Sequence, residues 1–168
     1  ILSNLKLKKD KYFLVSFHRE ENIDSNNLKN FLVTLDYIAN RYKLPIIFST
    51  HPRTAKKLKS LKTKFNKLIS FIKPLSFSDY NCLQINSLVT LSDSGTISEE
   101  SSILKFPAIM IRAAHERPEA MEEGTFIMSG LEKNRIIESI KMIVSQFESG
   151  SIPKTVDDYN LDNVSLKV

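Results

Sequence analysis

The sequence predicts an α/β fold in which a parallel sheet is covered by helices on both faces, and three observations lead there. Short apolar, β-branched runs alternate strictly with amphipathic helical segments along the chain. The strand runs are apolar almost throughout rather than at every second position, as expected where both faces of a sheet are buried. Most of these runs stop at a polar or charged cluster, so a parallel arrangement with right-handed crossovers would gather the clusters along one edge.

Residues 12–17 (YFLVSF) form the first strand, stopped by His18-Arg19-Glu20-Glu21-Asn22. Asp24 or Ser25 is placed to cap the next helix, on which Leu28, Phe31, Leu32, Leu35, Ile38 and Ala39 recur at helical spacing. Residues 45–50 make a second buried strand that ends at His51-Pro52-Arg53, and a basic amphipathic helix covers about residues 54–64. A third strand occupies about 68–72, and Ser78 caps a short helix running to Leu83. The central strand, residues 87–91, leads into the turn Asp93-Ser94-Gly95-Thr96 and a helix over 97–104. The fifth strand, 107–111, exits into the charged stretch from Arg112 to Glu119. Gly124 then closes a short helical turn, 125–128 offers a last short strand, and Ile136, Ile137, Ile140, Ile143, Val144 and Phe147 mark a helix beginning near Glu132. From about Gly150 onward the sequence is polar and assigns no element.

The stretch from Ser87 to Glu100 organises the rest. A strand, a tight loop and a helix start expose the amides of a first helical turn, with the hydroxyls of Ser94 and Thr96, beyond the carboxyl end of a strand, where open α/β sheets bind anions. Gly95 allows either a turn or the close approach of a ligand. The same residues also read as an ordinary turn with a helix cap, and Glu99 and Glu100 favour a helix N-terminus with no ligand at all.

Composition narrows the function classes. The chain has 168 residues, 42% hydrophobic and 26% charged, enough for one core and one domain. Its net charge of +5 admits an anionic partner, but the lysines concentrate in residues 56–73 without interleaved exposed aromatics or a reading module, so no nucleic acid is expected. A nucleotide diphosphate accounts for the charge equally well. Cys82 is the sole cysteine and no Cys/His cluster has ligand spacing, so no metal, cofactor or disulfide is expected and a reducing cytoplasm is the natural compartment. No apolar run is long enough to span a bilayer, and no membrane association is expected.

Ser-Phe-His-Arg-Glu-Glu-Asn (16–22), His-Pro (51–52), Asp-Ser-Gly-Thr-Ile-Ser-Glu-Glu (93–100) and Glu-Arg-Pro-Glu (116–119), in this order, resemble the non-hydrolysing UDP-N-acetylglucosamine 2-epimerase family over about residues 10–148. The resemblance implies a glycosyltransferase-B-type fold, with residues 1–168 as its C-terminal, nucleotide-binding, Rossmann-like domain and the N-terminal catalytic half outside this sequence. It implies a UDP-sugar substrate, a full-length homodimer and inversion at C2 by elimination and re-addition of UDP, with the fragment inactive alone. Carried over, Ser94, Gly95 and Thr96 would hold the diphosphate and Glu100 the ribose hydroxyls. His18 and Arg117 would act as catalytic groups at the phosphates or sugar, and His51 would line the cleft. Three positions depart from the family pattern: Gly95-Thr96 for a double glycine, Arg53 for the Asn of His-Pro-Asn, and His115 for Thr. The pairing is similar to the branch that makes UDP-N-acetyl-L-fucosamine for surface polysaccharides. A glycosyltransferase of the same architecture and a non-catalytic nucleotide-binding module are the competing readings.

Overall fold

The computed structural model describes residues 1–23, 26–61, 63–112 and 126–151. Its strands are β1 (Phe13–Ser16), β2 (Ile46–Ser49), β3 (Ile69–Ile72), β4 (Val89–Ser92), β5 (Ala108–Met110) and β6 (Ile127–Met128). All their pairings are parallel, in the order β3-β2-β1-β4-β5-β6. The described helices are α1 (Glu20–Ile23), α2 (Asn27–Tyr42), α3 (Pro52–Ser60), α4 (Phe77–Asn86), α5 (Ile97–Leu104) and α6 (Lys133–Glu148).

The two-residue period of the strands sorts the apolar side chains onto two faces. Phe13, Val15, Ile46, Phe48, Val89, Leu91 and Ile109 join one buried cluster with Phe31, Leu35 and Ile38 of α2 and Ile136, Ile140 and Ile143 of α6. On the opposite face Leu14 and Ile47 pack with Leu83 of α4, and Ala108 and Met110 pack with Ile97 of α5. Burial on both faces is why the strands read as apolar throughout.

Several boundaries differ from expectation for local reasons. The expected cap Ser78 lies inside α4, because Ser76 is the extended residue whose hydroxyl accepts the Asp79 amide at 3.2 Å. The second connection starts its helix at Pro52, whose fixed φ suits a first helical position, and stops at Ser60 rather than near Lys64. Asn26 precedes α2 without a side-chain cap bond, whereas Asp24 and Ser25 lie outside the described residues. So do Gly124 and Thr125. Glu132 caps α6, its carboxylate accepting the amides of Asn134 and Arg135 at 3.0 and 2.8 Å, which holds that carboxyl below the usual range. No helix among the described residues is long and apolar enough to cross a membrane.

The strand order positions the site. The chain steps from β1 outward to β2 and β3, then returns to place β4 on the other side of β1. Connections from β1 and β4 therefore diverge, leaving a crevice at their shared carboxyl edge. Register aligns that edge: Ser16 stands opposite Ser49 on one side and Ser92 on the other, so Phe17, Thr50 and Asp93 all emerge together.

Candidate functional site: the crevice between β1 and β4

Asp93 is the anchor of the crevice. It is fully buried at the end of β4, and its carboxylate accepts the backbone amides of His18 (3.1 Å to each oxygen) and Arg19 (3.0 Å) and the Asn22 side-chain amide (3.1 Å). These are charge-assisted bonds to a desolvated carboxylate, and they fasten the β1 exit and α1 onto the β4 exit. The His18 ring follows: its Nδ1 lies 3.2 Å from Asp93 Oδ1 and 3.3 Å from Ser16 Oγ. A neutral imidazole donating from Nδ1 to the carboxylate leaves Nε2 as the nitrogen available to a ligand. Beside it, the Arg19 guanidinium, 3.0 Å from Glu21, holds the Glu21 carboxyl below its usual range.

After Asp93 the backbone turns through Ser94, Gly95 and Thr96 into α5. The Ser94 amide donates to Ser92 Oγ at 3.1 Å, which ties the loop to the sheet edge. Thr96, the N-cap residue of α5, makes no side-chain cap bond, and its amide donates to Ser94 Oγ at 3.4 Å. The hydroxyl of Thr96 goes elsewhere: it sits 2.9 Å from Ser94 Oγ and donates to Glu100 Oε1 at 2.7 Å. The other Glu100 oxygen, Oε2, accepts from Gln84 Nε2 of α4. The ordinary-cap reading of this turn is therefore not the arrangement found. A helix N-terminus whose N-cap residue makes no side-chain cap bond, flanked by two hydroxyls and followed one turn later by a fixed carboxylate, suits an anion beside a diol.

Gly95 corrects one expectation. Among the described glycines positive φ occurs at Gly130 and Gly150, not at Gly95, so the turn itself does not require a glycine. A Cβ there would meet Arg112 Nη1 at 3.8 Å, an ordinary contact. The mostly buried Arg112 guanidinium therefore lies close to the loop at Gly95.

The structure brings His18, Ser94, Gly95, Thr96 and Glu100 to this one crevice. His51 stands at the neighbouring β2 exit, where its ring accepts the Arg53 amide at 3.5 Å and caps α3, while Arg53 pairs with Glu20 of α1. Arg117 lies outside the described residues, as does His115. Four contributors escaped the sequence reading as site residues: Asp93, Arg112, Gln84 and Tyr80. Burial pushes the Tyr80 phenol above its usual range, with Ser16 opposing the shift and the charges of Glu100 and Asp93 adding to it. An acid directly at the end of a buried strand was the signal for Asp93. For Gln84 and Tyr80 the signal was only a polar group on the inner side of a helix.

A six-stranded parallel sheet of this order, with its polar crevice where the connections diverge, places the chain in the Rossmann-like class. A model of the family described as UDP-N-acetylglucosamine 2-epimerase matches residues 1–168, and the chain belongs to that family. A UDP-N-acetylglucosamine 2-epimerase of Methanocaldococcus jannaschii is 39% identical over 142 residues, which cover 82% of this chain and 39% of the relative. The solved UDP-N-acetylglucosamine 2-epimerase from Rickettsia bellii superposes with a TM-score of 0.84 at 44% identity, over 95% of this chain and 43% of the other. The M. jannaschii enzyme solved in complex with UDP-GlcNAc and UDP gives 0.81 at 36% identity, over 92% and 43%. An E. coli heptosyltransferase with ADP shares the fold alone, at 12% identity and a TM-score of 0.55. The chain spans about two-fifths of the length of the curated relatives it matches.

Proposed function

We propose that residues 1–168 form the C-terminal, UDP-binding domain of a UDP-N-acetylhexosamine 2-epimerase of the glycosyltransferase-B type, working in the cytoplasm on precursors of surface polysaccharide. The observation that carries this reading is the arrangement at the start of α5: its N-cap Thr96 makes no side-chain cap bond, the Ser94 and Thr96 hydroxyls flank it, and Glu100 stands one turn on at the β1/β4 crevice. In this reading the loop amides and hydroxyls hold the diphosphate, with Arg112 beneath adding positive charge. Glu100 accepts from the two ribose hydroxyls, for which an ionised carboxylate is the better acceptor.

Inversion at C2 needs a proton removed and a leaving group released. A base takes the C2 proton, the electron pair of the C–H bond forms a C1–C2 double bond, and the C1–O bond breaks with its electrons leaving on UDP. Proton delivery to the opposite face of C2 and re-addition of UDP at C1 complete the inversion. The atoms balance without any redox partner. The role of this domain is to bind the departing UDP and keep it in place for re-addition. His18, its ring oriented by Asp93, stands at the same edge to meet a phosphate or sugar oxygen through Nε2. Arg117 adds a second cation in this proposal, and the proton-transfer carboxylates come from a further domain, within a homodimer of the full-length enzyme.

The experiment is a pair of assays on the 168-residue chain. Calorimetry should find UDP binding that Glu100→Gln weakens by about 1–3 kcal/mol. Incubation of UDP-N-acetylglucosamine in deuterium oxide should give no exchange at C2. Exchange by this chain alone would overturn the division between the domains, and unchanged UDP affinity in Glu100→Gln would overturn the ribose assignment.

A further inference from the structure

We propose that Gln84 is a positioning residue for nucleotide binding, holding the Glu100 carboxylate in the orientation that receives the ribose hydroxyls. The inference rests on the reading of Glu100 given above and concerns a residue on a different helix. Gln84 is completely buried on α4, and its Nε2 donates to Glu100 Oε2. Its Oε1 is buried as well and has no hydrogen-bond partner among the described residues. Its backbone carbonyl accepts the amide and hydroxyl of Ser87, which closes α4 and fixes where the side chain starts.

A buried amide with one half unsatisfied is a costly residue for a core position, because an apolar side chain of similar volume would fill the space without a desolvated carbonyl. What Gln84 accomplishes instead is directional. Among the described residues the Glu100 carboxylate is otherwise held only by Thr96, on its other oxygen, and in this reading Thr96 belongs to the loop that meets the diphosphate. The contact from Gln84 is independent of that loop. It holds Oε2 from the protein interior, so the carboxylate stays in place when Thr96 turns its hydroxyl toward a phosphate, and its remaining lone pairs face the crevice. A carboxylate fixed before the ligand arrives loses less side-chain freedom on binding, and that saving appears as affinity for the diol alone. Thr96 stands where the family pattern has glycine, so this chain has a second holder on Glu100 that a glycine cannot supply.

The test is calorimetry on the 168-residue chain with three probes: UDP, 2′-deoxy-UDP and inorganic pyrophosphate. Gln84→Leu should weaken UDP about tenfold, the loss of one hydrogen bond to a charged group. It should also erase the preference for UDP over 2′-deoxy-UDP while leaving pyrophosphate affinity within about twofold, since the loop that meets the phosphates is untouched. In a Glu100→Gln background the Leu substitution should cost nothing further. Gln84→Met, unbranched and of similar length, carries the same expectation should the Leu variant fold poorly. The proposal is overturned if both variants keep the wild-type preference for UDP over 2′-deoxy-UDP while Glu100→Gln loses it, because Glu100 then needs no holder. If Glu100→Gln also keeps that preference, the ribose reading fails, and the positioning role fails with it.

Discussion

His18 and His51 occupy equivalent places, each just beyond a strand at the carboxyl edge of the same parallel sheet, yet they are held in different ways. His18 is fixed through Asp93, a residue 75 positions away that grips its backbone and its ring together. His51 is held by its own neighbourhood, as the cap of the helix it precedes, with Pro52 setting the first turn. The difference teaches that a polar residue at a strand end becomes part of a site when a distant buried group orients it. A residue satisfied within its own turn has a local task already. At the crevice Asp93 makes contacts of the first kind to His18, Arg19 and Asn22, whereas at the β2 exit the local cap of His51 stands beside the longer-range Arg53–Glu20 pair and the bond from the Thr54 hydroxyl to the Phe17 carbonyl.

The largest expected effect comes from removing the link that creates this contrast. Asp93→Asn keeps the shape but replaces a carboxylate oxygen with an amide nitrogen facing donors, and should lower unfolding free energy by about 3 kcal/mol or more in urea titration. If it costs no more than His51→Ala, the two exits are not held differently. Next in size is function: in a full-length enzyme, His18→Ala should reduce turnover by at least about a hundredfold with the melting temperature little changed. His51→Ala should instead cost no more than about 1 kcal/mol of stability and leave turnover within about threefold, as a lost cap does. The smallest effect sharpens the local side. Glu132 caps α6 with its folded pKa lowered, first by the amide of Asn134 and then by that of Arg135. Its contribution is therefore present above the ordinary Glu range and disappears as pH falls through the lowered value. Glu132→Gln should lower the melting temperature slightly at neutral pH, with the difference from wild type closing at acid pH. A difference that widened with acidification would contradict the sign.

Much of the fold was legible because its information is local. Apolar strands such as Phe13–Ser16 and Ile46–Ser49 are short and bounded, and α2 and α6 carry their apolar residues at helical spacing. The edge where polar clusters gather followed from parallel connectivity and pointed to the loop of Ser94, Gly95 and Thr96, whereas the roles expected of His18 and Glu100 came from the family resemblance. The residues that hold them could not be named in advance. Asp93 and Asn22 meet across 71 positions, and Gln84 reaches Glu100 from another helix, pairings that no spacing rule connects. Ser78 was read as the cap of α4, a place the backbone gives to Ser76, two residues earlier. Gly95 was legible as a glycine that matters, although the turn conformation gives no reason for it.

The central claim is that UDP occupies the crevice where β1 and β4 part. Hydrogen–deuterium exchange of the 168-residue chain with and without saturating UDP tests it most directly. Slowed exchange should be confined to amides around 17–22 and 94–100, with the α3 segment 52–60 unchanged. Protection centred on α3, with 94–100 unaffected, would contradict it.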